Sequence, residues 1–220
     1  TLEGRDGAGL AITLTVNGLA PAHRHWGKGP LRAGDVLVLS RPIGTGVLFA
    51  AAMAGDSCGP WLEAVLPQLD QDQSALVPLL AAHGCRACTD ITGFGLLGHL
   101  GEMLACSIPP EDLPAPRPVR VVLDGAASPA FPGALELLAR GWASTLAPAN
   151  AEALALLGGS VGLAGGEAPD GALRGLLIDP QTCGPLLAAL PGDRAAGAVR
   201  ALQAAGFDQA RVIGRVVADP

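Results

Sequence analysis

Apolar and polar residues alternate most clearly over residues 9–20. The apolar positions are Leu10, Ile12, Leu14 and Val16, and the residues between them are mostly polar. A period of two predicts a half-buried β-strand. Shorter and nearly continuous apolar runs are typical of more fully buried strands. They predict strands at residues 35–40, 85–90, 119–123, 175–178 and 211–217.

Longer segments with apolar residues three and four positions apart predict helices. These cover residues 47–53, two stretches broken by Pro67 and Pro78, and residues 96–106, 131–140 and 193–205. Residues 108–118, with five prolines, and the glycine-rich residues 158–171 are predicted loops. No repeat of fixed period is present. The irregular succession of strands and helices predicts an α+β fold, a layered domain with helices packed on a mixed sheet.

The composition is that of a globular protein with an aliphatic core. Of the 220 residues 50% are hydrophobic, 15% are charged and only 3% are aromatic. The formal net charge is -6 and the basic residues form no stripe, which argues against a bound nucleic acid. No apolar run reaches the roughly 20 residues of a membrane helix. Five cysteines, an odd number, argue for a reducing cytoplasm.

The segment TDITGFGLLGH, from Thr89 to His99, joins a predicted strand to a predicted helix. Such a turn presents backbone N–H groups and a helix N-terminus to any anion placed there. A carboxylate beside it can hold Mg²⁺, which bridges phosphate oxygens. Asp90 is therefore a predicted Mg²⁺ ligand. The alternative is structural, because Asp or Thr before a helix commonly caps it.

For several other residues a structural role is favoured. Cys85 and Cys88 have the spacing of zinc and redox sites, but no second pair completes the four ligands of a structural zinc. Burial as small apolar residues is the favoured interpretation. His99 is expected to lie along the helix without a network. Lys28 is expected at the surface, with a phosphate contact as the alternative.

The segment from Thr89 to His99 resembles the signature of selenophosphate synthetases, the selenide, water dikinases. Four further segments resemble other blocks of that family, in the family's order. They are KGPLRAGDVLVLSRPIGTG at residues 28–46, GWASTLAPAN at 141–150, DPQTCG at 179–184 and IGRV at 213–216. Together the matches cover nearly the whole chain.

The resemblance implies the architecture of the aminoimidazole ribonucleotide synthetase superfamily. An amino-terminal domain that dimerises through a β-barrel is followed by a carboxy-terminal α+β domain, and ATP binds between them. ATP, selenide and water yield selenophosphate, AMP and phosphate, with Mg²⁺ ions held by aspartates. The motif places one such aspartate at Asp90. Thr89, Thr92, Gly93 and Gly95 are expected to shape the phosphate end of the ATP site.

The resemblance also implies a division of this chain. Residues 1–30 are expected to be the last strand of a truncated amino-terminal ATP-binding domain plus a linker, and residues 31–220 the carboxy-terminal domain. Nothing matches the family's catalytic Cys or selenocysteine segment, so no catalytic residue is expected here, and the chain alone is expected to be inactive. The expected partners are ATP, selenide, the amino-terminal half of the same enzyme, and a second copy in a homodimer.

Two alternatives and one departure accompany this interpretation. The first alternative is another enzyme of the superfamily, such as a kinase of thiamine phosphate or a hydrogenase maturation factor. The second is a nucleotide-binding module without catalysis. The departure is Pro185, which stands where the family usually has glycine. Since proline has no N–H, any phosphate contact made by that amide in the family is lost here.

Overall fold

A computed structural model describes residues 15, 17–19, 25–56, 59–108, 119–157, 160–164 and 171–219. The strands are β1 (Asp35–Leu39), β2 (Ala87–Asp90), β3 (Val119–Leu123), β4 (Val161–Leu163), β5 (Leu186–Pro191) and β6 (Arg211–Ala218). The helices are α1 (Thr45–Met53), α2 (Gly59–Asp70), α3 (Leu76–Ala82), α4 (Gly95–Ala105), α5 (Ala134–Ala139), α6 (Ala147–Ala153), α7 (Gly171–Ile178) and α8 (Ala195–Ala204).

The described strands form one mixed sheet in the order β2-β5-β1-β6-β3-β4. Every neighbouring pair is antiparallel except β3 and β4, which are parallel. The sheet has an edge at β2, where the amide of Cys88 donates to the carbonyl of Gly27 at 3.1 Å. The segment before β1 therefore satisfies part of the hydrogen-bonding capacity of this edge strand.

Apolar side chains cover both faces of the sheet. In β1, Leu37 and Leu39 point into the larger cluster, which also includes residues of α1, α4, α5 and α7. Val38 points the other way, into a cluster with residues of α3 and α8. Alternation along an extended strand produces this division. Each fully buried leucine stabilises the fold by about 1.5–3 kcal/mol, and the arrangement confirms the predicted α+β layered fold.

Two predictions of local structure are wrong, and one strand was missed. Residues 175–178, predicted as a strand, form the end of helix α7. A short apolar run does not distinguish a buried strand from a buried helix turn, and here Leu176, Leu177 and Ile178 are buried. The loop predicted over residues 158–171 contains strand β4, which is fixed by pairing with β3. The central strand β5 was not predicted.

Prolines also behave differently from the prediction. Pro67 lies inside α2, near its end, rather than breaking it. Pro78 lies in the first turn of α3, where a missing N–H costs nothing because that amide has no partner within the helix. The strand predicted over residues 9–20 lies mostly outside the described residues, and the loop predicted over residues 108–118 lies outside them except for residue 108. The predicted boundary between residues 30 and 31 stays a prediction.

Within the part of the chain that the structure describes, no helix is long and apolar enough to cross a membrane.

Candidate functional site

Two helix N-termini and one loop meet at the same edge of the sheet. Strands β1 and β2 both pair antiparallel with β5, so they run in the same direction. Leu39 lies opposite Leu187, and Asp90 lies opposite Leu186. Helices α1 and α4 begin just beyond these strand ends, after turns that we name the α1 turn (residues 40–46) and the α4 turn (residues 91–95). The 179–185 loop enters β5 between them.

The amides of the α1 turn are bonded to side chains of the 179–185 loop. Gln181 Oε1 accepts hydrogen bonds from the amides of Gly44 at 2.8 Å and Thr45 at 3.1 Å. Asp179 Oδ2 accepts one from the amide of Gly46 at 2.9 Å. Gln181 and Asp179 are buried. These N–H groups, which would otherwise face an anion at the helix N-terminus, already have internal acceptors.

Asp179 is a buried carboxyl group in an unfavourable environment for its charge. Burial raises the pKa of Asp179 to about 7, against the opposing hydrogen bonds from Val47, Gln181 and Gly46. Its Oδ1 atom has no hydrogen bond of standard geometry within the described residues. The shift is explained by the structural position of Asp179 at the start of α1.

The α4 turn keeps two of its amides open. The amide of Thr92 donates to His99 Nε2 at 3.0 Å, and the amide of Gly95 donates to the carbonyl of Thr92 at 3.1 Å. Among the described residues, the amides of Gly93 and Phe94 have no acceptor, and no side chain caps α4. Gly93 is half-buried and Phe94 is exposed. Open N–H groups at a helix N-terminus are suited to bind an anion.

Gly95 is required by the close packing of the α4 turn. Its φ of +68° lies in the left-handed region that favours glycine. A Cβ atom on Gly95 would also lie 2.6 Å from the backbone of Ile178. Asn150 fixes the other side of the turn, since its Nδ2 donates to the carbonyls of Gly93 and Ile178, both at 2.9 Å. Gly95 and Asn150 therefore set the position of the α4 turn against α7.

Asp90 lies exposed at the end of β2, directly before the α4 turn. It lines an open depression of about 490 Å³, together with Lys28, Cys88 and Thr89. Thr89 is buried, and its hydroxyl donates to the carbonyl of Asp90 at 3.2 Å. The depression is thus lined by one acidic residue, Asp90, and one basic residue, Lys28.

His99 belongs to a hydrogen-bonding network, contrary to the sequence-based expectation, and Lys28 joins that network with a side chain that is 39% exposed. His99 is 4% exposed, and its Nδ1 lies 2.8 Å from Glu102 Oε2. The same Glu102 oxygen accepts a hydrogen bond from Lys28 Nζ at 2.7 Å. The pKa of Glu102 is lowered: burial opposes the shift, but Lys28 and His99 outweigh it. The pairing of α4 with the segment before β1 could not be inferred from one sequence, which is why the network was missed.

The side chains at this edge of the sheet supply only part of a Mg²⁺ site. No group of three or more His, Cys, Asp or Glu side chains suited to a metal is present among the described residues. Asp90 therefore offers one carboxylate, not a complete site. Mg²⁺ is commonly bound by one or two carboxylates together with waters and substrate phosphates. One exposed carboxylate, directly before a turn with open amides, is compatible with that mode.

Cys85 and Cys88 pack as the sequence predicts, in the smaller apolar cluster. The pKa of the Cys88 thiol is raised, first by its hydrogen bond with Cys85 and then by burial. A raised thiol pKa disfavours the reactive thiolate.

The 179–185 loop is the part of the site that sequence reasoning described least. The Arg41 guanidinium donates to the carbonyls of Cys183 and Gly184, which holds the loop against β1. The carbonyl of Pro185 accepts the amide of Ile91 at 2.9 Å, which joins the loop to the α4 turn. The sequence signals for these roles were the motifs at residues 28–46 and 179–184. Both motifs resemble the family, but neither indicates which residues are in contact.

Comparison with known proteins extends this description. The profile of the family "AIR synthase related protein, C-terminal domain" matches residues 32–220. A selenide, water dikinase of Pelobacter propionicus is 36% identical over 218 residues, which cover 96% of this chain and 56% of that protein. One of Desulfitobacterium hafniense is 32% identical over 213 residues, covering 95% of this chain and 55% of that protein. The chain thus spans about half the length of these curated relatives.

Among solved structures, the fold is similar to that of the hydrogenase maturation protein HypE in complex with ATP. The TM-score is 0.53 at 17% identity, over 88% of this chain and 45% of that one. Identity this low supports the fold alone. The resemblance to selenophosphate synthetases seen in the sequence motifs is confirmed by the relatives. Because the family profile covers most of its length, the chain belongs to the AIR synthase related proteins, and residues 32–220 are the carboxy-terminal domain of that family.

Proposed function

We propose that this chain is the carboxy-terminal part of a selenophosphate synthetase and forms one wall of its Mg²⁺–ATP cleft. The observation that carries the proposal is the 36% identity to a selenide, water dikinase along 96% of the chain. The reaction converts ATP, selenide and water to selenophosphate, AMP and phosphate. The relatives named selenide, water dikinase support ATP as the substrate.

The α4 turn and Asp90 supply the groups that such a cleft needs. Asp90 is the Mg²⁺ ligand in this proposal, and the bound ion neutralises charge on the phosphates. The open amides of Gly93 and Phe94 face the polyphosphate. Thr92 and Gly95 shape the turn through backbone bonds, since both of their amides are already used. Thr89 supports the backbone of Asp90 from the buried side.

The remainder of the enzyme is part of the same proposal. The curated relatives are about twice as long as this chain, and the half that it does not match is proposed to supply the nucleophilic segment, the other aspartates and the dimer surface. On this proposal the chain alone makes no selenophosphate. Each of the four described cysteines is a free thiol, which supports placement of the enzyme in the reducing cytoplasm.

Phosphorus NMR on the polypeptide extended to the length of its relatives tests the proposal. The reaction contains Mg²⁺ and ATP, with and without selenide. We compare the wild type, Asp90→Asn and the control Asp193→Asn, which changes an exposed aspartate in the 3₁₀ turn before α8. Loss of a direct metal ligand is expected to slow AMP formation at least about 100-fold, since even outer partners of metal ligands contribute 10–100-fold.

Each result of this experiment decides the proposal. AMP and selenophosphate that require selenide, lost in Asp90→Asn and retained in Asp193→Asn, would support it. ADP formed without selenide would instead identify a kinase of the same superfamily. ATP left intact by the extended wild type would identify a nucleotide-binding module without catalysis.

A further inference from the structure

The α4 turn is held by a side chain from its own helix, one turn further along. Since no side chain caps α4 from in front, the first residues of the turn depend on another acceptor. His99 provides it: Nε2 lies 3.0 Å from the amide nitrogen of Thr92 and 3.1 Å from Thr92 Oγ1. His99 is 4% exposed, and its ring packs against Phe94 with the ring centroids 5.5 Å apart.

These contacts define the tautomer of His99. A backbone amide only donates, so Nε2 must accept and carries no proton. The proton of the neutral ring is then on Nδ1, which donates to Glu102 at 2.8 Å. Glu102 in turn binds Lys28 at 2.7 Å. One imidazole ring therefore connects the turn after Asp90 to the ammonium group on the depression.

The bond between His99 and Thr92 gives one amide of the α4 turn an acceptor and leaves two others open. His99 occupies the amide of Thr92, while the amides of Gly93 and Phe94 have no acceptor in the described residues. Without His99, the amide of Thr92 would lose its acceptor, whereas the amide of Ile91 before it would keep its bond to Pro185. The bond therefore fixes the peptide between Ile91 and Thr92, which directly precedes the two open amides.

We propose that His99 is a positioning residue of the phosphate site. It holds the α4 turn through Nε2, which accepts a hydrogen bond from the amide of Thr92. Its effect on Mg²⁺–ATP rests on the proposed function, whereas its tautomer and contacts do not.

Two substitutions distinguish the hydrogen bond made by Nε2 of His99 from the one made by Nδ1. In His99→Gln the side-chain amide oxygen reaches the place of Nε2 and keeps the acceptor for Thr92. In His99→Asn the shorter amide reaches only the place of Nδ1 and keeps the contact with Glu102. A control, His83→Asn, keeps the bond that His83 Nδ1 makes with the carbonyl of Leu79, outside the site.

The KM for Mg²⁺–ATP and the kcat of selenide-dependent AMP formation are measured on the extended polypeptide, with Tm for each variant. His99→Asn is expected to raise the KM roughly three- to tenfold, the equivalent of one hydrogen bond. His99→Gln and His83→Asn are expected to stay within about twofold. Equal changes in the Gln and Asn variants, or KM changes that only follow the loss of Tm, would overturn the proposal.

A second measurement does not depend on activity. Long-range ¹H–¹⁵N correlation spectra of the chain with ¹⁵N-labelled histidine report which ring nitrogen carries the proton. The resonances of His99 are those that disappear in His99→Gln. A protonated Nδ1 and an unprotonated Nε2 are expected at neutral pH, and the reverse tautomer would overturn the positioning role. An inactive wild type with the expected tautomer would contradict the proposed function while leaving the network of His99 established.

Discussion

The α1 turn and the α4 turn are alike in sequence and different in chemistry. Each follows a strand that pairs with β5, contains glycine, and opens a helix at the same edge of the sheet. In the α1 turn, Gln181 and Asp179 occupy the amides of Gly44, Thr45 and Gly46. In the α4 turn, two amides are open and Asp90 is exposed. A glycine-rich strand-to-helix turn is therefore a possible anion site only when its amides have no internal acceptors.

The largest expected effect concerns Asp179, beneath the closed α1 turn. Its pKa is raised from 3.8 to about 7 on folding, so the folded protein binds the proton more tightly. The contribution of Asp179 to the free energy of unfolding is fully present below about pH 4. It is lost as the pH rises through about 7, by about 1.4 kcal/mol per pH unit. From about pH 5 to pH 8 the loss amounts to about 3 kcal/mol.

Urea unfolding at several pH values checks this expectation. The difference in unfolding free energy between wild type and Asp179→Asn should change by that amount over the range, because asparagine does not titrate. Asp193→Asn, an exposed control, should follow the wild type. Curves for wild type and Asp179→Asn that run parallel would show that Asp179 is not titrating in this range.

A second prediction concerns the acceptor shared by the α1 turn. Gln181→Ala removes the partner of two buried amides and of the Thr45 hydroxyl. Leaving buried donors without acceptors is expected to lower the free energy of unfolding by about 3 kcal/mol. Chemical denaturation measures it, with Gln209→Ala as the exposed control, expected within about 0.5 kcal/mol. A loss for Gln181→Ala no larger than for the control would mean that water replaces the side chain.

A third prediction compares two glycines of the α4 turn. Gly95→Ala forces a Cβ to 2.6 Å from the backbone of Ile178 at a φ of +68° and is expected to cost about 2 kcal/mol or more. Gly93→Ala meets no atom within 4 Å and is expected to change stability by less than about 0.5 kcal/mol. Thermal unfolding of both variants checks the difference. Similar losses of Tm would contradict the packing described for Gly95.

The smallest expected effect is that of Lys28→Met on stability. Lys28 and Glu102 form a partly exposed ion pair, with side-chain exposures of 39% and 36%. Such pairs contribute at most about 1 kcal/mol, and salt screens them. Urea titrations at low and high salt should show a small difference that shrinks with salt. A loss above about 2 kcal/mol would indicate that Lys28 is structurally required.

The sequence predicted the parts of this protein whose signal is local. The apolar runs at residues 35–40, 119–123 and 211–217 became β1, β3 and β6 with nearly the predicted bounds. The helix after the glycine turn also formed as expected, as α4. Residues 175–178 were wrongly predicted, because four apolar residues fit the buried face of either element. Strand β4 has no strong pattern of its own and is specified by β3 beside it.

For the site, the sequence by itself determined the residue types and their order along the chain: an acid at the end of a strand, a glycine turn and a helix. It also determined the family, because five motifs in a fixed order identify relatives. Tertiary structure alone decided which amides are open, since Gln181 lies 136 residues from Thr45. It also decided the ion pair of the site, since Lys28 lies 74 residues from Glu102. Contacts over such separations leave no local pattern, because they are made only when the sheet brings its strands together.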